Sequence, residues 1–142
     1  MTRTTDKSLR LRCIAILVLA TGALLPGSIR ADDSEAWLQY QDFLGACETA
    51  TSVEELLPFL AEWRLERYEA LDEAGRKEML TRLCRDTETI DDISFDSEEI
   101  EGDATTLHLK ATWNGLPMKG RVIVVREDDG LKVDEWSWAT GE

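Results

Sequence analysis

Residues 103–113, DATTLHLKATW, run into Asn114-Gly115, then LPMKGRVIVVR at 116–126, then Asp129-Gly130, then LKVDEWSW at 131–138. The two dipeptides are strong hairpin signals, because a two-residue reversal needs positive φ and Asn, Asp and Gly tolerate it. Between them lie runs rich in β-branched and aromatic residues, so the stretch reads as an antiparallel meander. In the first run Leu107, Leu109, Ala111 and Trp113 alternate with Thr106, His108, Lys110 and Thr112, which fixes its register. The next run is apolar on both sides at Val122, Ile123, Val124 and Val125, as in a central strand or one with a second burial surface. In the last, Leu131 and Val133 are out of phase with Trp136 and Trp138. A bulge near Asp134-Glu135 would bring all four to one face.

Working back along the chain, Thr87 to Ile100 has a period near two through Ile93 and Phe95 and reads as a first strand, with Glu101-Gly102-Asp103 as its turn. Ahead of it the period changes to that of helices. Ser34 is an N-cap for a helix to about residue 49, with Trp37, Tyr40, Leu44 and Cys47 on one stripe. Ser52 and Glu55 have capping-box spacing before Val53, Leu56, Leu57 and Leu60, and Pro58 predicts a kink or break before a segment through Trp63, Arg67 and Tyr68. Asp72 caps a third helix in which Leu80, Leu83 and Cys84 share a face, with Arg82 and Arg85 near its C-terminal end. Helices followed by strands give an α+β domain, about three N-terminal helices on one face of a curved four-stranded antiparallel meander.

Residues 1–31 carry a basic start, an apolar run from Cys13 to Leu25 and the breaker Pro26-Gly27, the pattern of a secretory signal peptide cut after Ala31. The apolar run is shorter than the ~20 residues of a membrane span. Residues 32–142 then form one domain in a periplasmic or secreted location. Its 11 basic residues face 28 acidic ones, a net charge of −17 against −13 for the whole chain. Such a field disfavours nucleic acid and membrane surfaces as partners and leaves a cationic protein as a candidate. Cys47 and Cys84 are the only cysteines after residue 31. In an oxidising compartment they point to a disulfide, with two buried thiols as the alternative. A bond of that span contributes about 4 kcal/mol by the chain-entropy model.

The order of elements, the GDATTL run at 102–107 leading into a strand, and VREDDGLKV at 125–133 followed by Trp136 resemble exported members of the nuclear-transport-factor-2-like, cystatin-like superfamily. The resemblance implies a curved sheet wrapped around helices as a cone. It covers residues 33–140 through core and turn positions, which bear on fold and not on reaction. The superfamily includes dehydratases and isomerases as well as binding modules.

No constellation for catalysis stands out. His108 points away from the face of Leu107 and Leu109, and Tyr40 and Tyr68 lie on apolar helical stripes. Asp134 and Glu135 are the best carboxylate candidates, with edge solubility as their simpler role. The acidic run from Asp86 to Asp103 lacks the spacing of a calcium loop, and zinc spacing, a phosphate loop and a serine-hydrolase elbow are missing too, so no metal or cofactor is expected. Tyr40, Trp113, Trp136 and Trp138 are the aromatics expected to line a pocket or form the core. The leading reading is an exported non-enzymatic domain that binds a small apolar ligand or a partner protein. The alternative is a cofactor-free hydratase or isomerase with a pocket carboxylate.

Overall fold

A computed structural model describes residues 30–141, so most of the expected signal peptide lies outside the described residues. Helix α1 (Glu35–Thr49) starts at Ser34, whose Oγ accepts from the Trp37 amide at 3.1 Å. Its buried face is Ala36, Trp37, Tyr40, Phe43 and Cys47, so Trp37, Tyr40 and Cys47 of the expected stripe are buried while Leu44 is half-buried beside Phe43. Pro58 breaks the next segment outright: Val53–Glu55 and Leu57–Phe59 are single 3₁₀ turns. Val53, Leu56 and Leu60 are still buried from this irregular stretch. The Ser52–Glu55 capping box does not form, and Glu55 instead accepts from the amide and hydroxyl of Thr51.

Helix α2 (Glu62–Glu69) follows, with its first amide capped from a distance by the Glu127 carboxylate at 3.0 Å. Helix α3 (Glu73–Thr89) begins where Asp72 accepts from the Gly75 amide at 2.8 Å. It continues past Arg85, so neither Arg82 nor Arg85 lies in its last turn and the first strand starts later than the two-residue period indicated. Cys47 of α1 and Cys84 of α3 are joined as a disulfide, with their Cα atoms 5.2 Å apart.

The sheet has the order β1 (Asp91–Glu101), β2 (Ala104–Trp113), β3 (Leu116–Glu127), β4 (Gly130–Thr140), antiparallel throughout. Asn114 and Gly115 both have positive φ, as a two-residue primed turn requires. The last reversal sits one place earlier than expected. Glu127 pairs with Gly130, the loop is Asp128-Asp129, and positive φ falls on Gly130 itself. Helix α1 packs on β2 and β4 and against α3, so the fold is α+β with its helices on one face of a curved sheet.

That inner face is lined by Leu107, Leu109, Ala111, Val122, Val124 and Val133, all buried. Ile123 and Val125 point the other way and are half-buried. In β4 the register slips between Ile123 and Val124, which pair with Glu135 and Val133 and leave Asp134 unopposed. This is the expected bulge. Beyond it Trp136 opposes Val122 and Trp138 opposes Gly120, so Leu131, Val133, Trp136 and Trp138 share the inner face.

Gly120 is glycine because the Trp138 ring lies on its backbone. A Cβ there would stand 2.7 Å from Trp138 Cε3, inside van der Waals contact. Gly120→Ala is therefore expected to lower stability by about 1–3 kcal/mol through overpacking. Urea unfolding should show a lower midpoint with an unchanged slope, whereas an unchanged midpoint would mean that the ring does not occupy this place.

Candidate functional site

The space between α1 and the sheet is occupied by a column of rings. Trp37 lies 6.2 Å from both Tyr40 and Phe95, Tyr40 lies 6.1 Å from Phe43, and Phe43 lies 5.4 Å from Trp136, all centroid to centroid. Tyr40 is 1% exposed at the centre of this column. Its hydroxyl pKa is raised, chiefly by burial and next by the negative charge of Asp86 on α3, with the Trp138 N–H acting in the opposite direction. Among the described residues that buried N–H makes no hydrogen bond of good geometry. Asp86, whose side chain is 13% exposed and lies 3.9 Å from Arg85 Nε, is the carboxylate whose charge acts on this phenol, the two group types that acid–base chemistry would use. Rings pack on either side of Tyr40, and neither cleft described below reaches Tyr40 or Asp86.

The expected carboxylates are placed elsewhere. Asp134, at the bulge, is bound from α2: its carboxylate accepts from Trp63 Nε1, and its carbonyl accepts from Arg64 Nε and Nη2 at 2.8 and 2.6 Å. Glu135 is exposed and opposes Ile123 on the outer face. Of the four expected aromatics, Tyr40, Trp136 and Trp138 belong to the interior. Trp113 does not. It is 43% exposed and pairs with Leu116, itself 53% exposed, at the β2–β3 hairpin, where the sheet runs past the helices that cover its middle. His108 is on the outer face, with Nε2 3.4 Å from Glu99.

Among the described residues, two clefts at the periphery are larger than the shallow one of about 50 Å³ beside Arg121 and Trp136. One, of about 430 Å³, lies where the start of α1 meets the end of β1. Asp33, Glu35, Glu98 and Asp103 make it acidic. Glu98 accepts from the buried Ser34 hydroxyl, and Arg126 is paired with Glu35 at 2.9 Å. The other, of about 230 Å³, runs between α2 and α3. Leu71, Met79 and Leu83 form its floor, and Arg64, Arg67, Arg82 and Glu78 its rim.

In this second cleft Arg64 is held with its guanidinium 4.4 Å from the Trp63 ring and 4.8 Å from that of Trp136. Burial works against its charge and lowers its pKa, while Asp134 and Glu135 favour it. Arg82 pairs with Glu78, and Arg67 has no ion-pair or hydrogen-bond partner among the described residues. No sequence motif marks this set. The available sign was concentration: six of the 11 basic residues after residue 31 fall between Arg64 and Arg85.

No protein-family model matches the chain, and no curated relative matches it. Among solved structures it is similar to an NTF2-like protein of unknown function from Silicibacter pomeroyi, at 18% identity and TM-score 0.35 over 46% of this chain and 57% of that one. A de novo designed β-sheet protein of cystatin fold is similar at 16% identity and TM-score 0.35, over 58% of this chain and 99% of the design. An NTF2-like protein from Campylobacter jejuni, provisionally named a transpeptidase, is similar at 11% identity and TM-score 0.46, over 72% of this chain and 99% of that one. At these identities and TM-scores none of the three assigns an activity to the present chain.

The buried phenol gives a pH test. A tyrosine whose folded pKa is raised contributes stability that is complete below its unfolded pKa of about 10 and is lost as pH rises toward the folded value. The melting temperature is expected to fall as pH is raised past ~10, and less steeply in Tyr40→Phe. Tyr68→Phe is the companion variant, expected to flatten the same slope by less, since the Tyr68 pKa is raised first by its hydrogen bond to Glu54 and only then by burial. Equal alkaline slopes for wild type and Tyr40→Phe would show that the phenol is not buried.

Proposed function

We propose that this chain is an exported, non-enzymatic binding module that takes a small apolar ligand or a partner protein at its periphery. The observation that carries this reading is the column of Trp37, Tyr40, Phe43 and Trp136, which occupies the space where a cone-shaped domain would hold a substrate. Asp134 supports it as well, because its hydrogen bonds to α2 commit the residue to structure. Export is supported by the basic and apolar start of the sequence and by the Cys47–Cys84 disulfide, a bond characteristic of oxidising compartments. Among the described residues no helix is long and apolar enough to cross a membrane.

An apolar diazirine probe, photolysed with the natively purified protein and mapped by mass spectrometry, tests where binding occurs. Labelling is expected on α2, α3 or the β2–β3 hairpin, with the probe recovered chemically unchanged from unlabelled protein. Labelling of Tyr40 or Phe43 would contradict a filled interior. Turnover of an enoyl or ketosteroid substrate that Asp86→Asn or Asp134→Asn abolished would replace the module with the hydratase or isomerase alternative.

A further inference from the structure

We propose that the α2–α3 cleft binds a small apolar carboxylic acid, its tail on Leu71, Met79 and Leu83 and its carboxylate among Arg64, Arg67 and Arg82. This rests on the reading of the chain as a peripheral binding module and names the ligand that one of its surfaces would take.

Charge is the first consideration. The whole chain carries −13, a field that keeps anions away at long range, so affinity for an anion has to be built locally. The cleft rim does this with three guanidinium groups against the single carboxylate of Glu78. Arg82 and Glu78 form an exposed i,i+4 pair, which water screens and side-chain freedom weakens, so Glu78 does little to occupy Arg82. Arg67 is free among the described residues.

Preorganisation is the second. Arg64 stacks between two indoles and donates twice to the Asp134 carbonyl, so its plane is set before any ligand arrives. Its Nη1 has no partner among the described residues. Planar guanidinium groups match carboxylates through paired N–H donors, and a group already fixed loses less freedom on binding.

Size and polarity then restrict the ligand. The cleft is smaller than the ~300–1,000 Å³ typical of pockets for drug-sized molecules. Its floor is aliphatic, which favours a tail over a bare inorganic anion. A monocarboxylic acid with a short alkyl tail satisfies both requirements.

Calorimetry and tryptophan fluorescence with octanoate, octanol, acetate and inorganic phosphate test the proposal, since Trp63 and Trp136 flank Arg64. Octanoate is expected to saturate and to bind at least about tenfold tighter than each of the other three. The double variant Arg67→Ala/Arg82→Ala alters exposed positions and is expected to keep its melting temperature while losing about tenfold or more in octanoate affinity. Octanol binding as tightly as octanoate, phosphate or acetate matching octanoate, a double variant with unchanged affinity, or no saturable binding would each overturn the assignment. The diazirine map keeps the two readings apart: surface labelling outside the cleft together with octanoate failure removes the acid site and leaves the module, whereas interior labelling removes the module itself.

Discussion

The hydrogen bonds that Arg64 donates to the carbonyl of Asp134 hold the helical layer and the sheet in register. A bulge leaves one backbone carbonyl outside the ladder, and a carbonyl without a partner away from water costs about as much as a lost hydrogen bond. The guanidinium supplies that partner twice over, and Trp63 binds the carboxylate of the same residue. One residue earlier, the Val133 carbonyl accepts from the Ala61 amide at 3.1 Å, so the approach to α2 is stitched to the edge of β4. With the extra residue accommodated, Trp136 and Trp138 turn inward, meet Phe43 and cover Gly120. A one-residue slip would send both indoles to the opposite face. The guanidinium that secures the bulge also stands on the rim of the α2–α3 cleft, so the fold and the proposed site share one side chain.

The sheet edges are protected by different means. Residues 57–61 cover β4, and the buried Lys132 donates to the Pro58 carbonyl at 2.8 Å. Strand β1 has no neighbour beyond it among the described residues and carries Asp91, Asp92, Asp96, Glu98, Glu99 and Glu101, with two register irregularities along its length. Charge and irregularity on an edge discourage pairing with a second chain. Much of the net negative charge therefore serves solubility and edge protection. The six basic residues gathered on α2 and α3 are the departure from that pattern.

What could be read from the sequence was what depends on short range. Asn114-Gly115 made the hairpin, Ser34 and Asp72 capped α1 and α3, and the phase difference between Leu131 and Trp136 required a bulge. Each rests on backbone chemistry within a few residues. Pro58 predicts a kink or break, and it ends regular helix altogether because Leu60 and Ala61 engage β4 instead. The last reversal falls at Asp128-Asp129 and not at Asp129-Gly130, since acidic loops with a following glycine fit more than one turn. The aromatic site was legible as composition and not as position: Tyr40, Trp136 and Trp138 are interior, whereas Trp113 sits where the sheet outruns its helices. Asp86 beside Tyr40 and the arginine-lined cleft depend on how α3 lies against α1 and α2, and no local period encodes a packing angle.

Arg64→Met tests the dependence of the bulge on its guanidinium most directly, with near-UV circular dichroism and urea unfolding as the readout. Without the guanidinium the Asp134 carbonyl loses both donated hydrogen bonds and the Trp136 ring loses the cation over its face. The variant is expected to unfold at a lower urea midpoint with a weakened near-UV tryptophan signal while retaining its far-UV signal. A variant with the wild-type midpoint and near-UV spectrum would show that the bulge and the rings beyond it do not depend on Arg64, and would contradict the account.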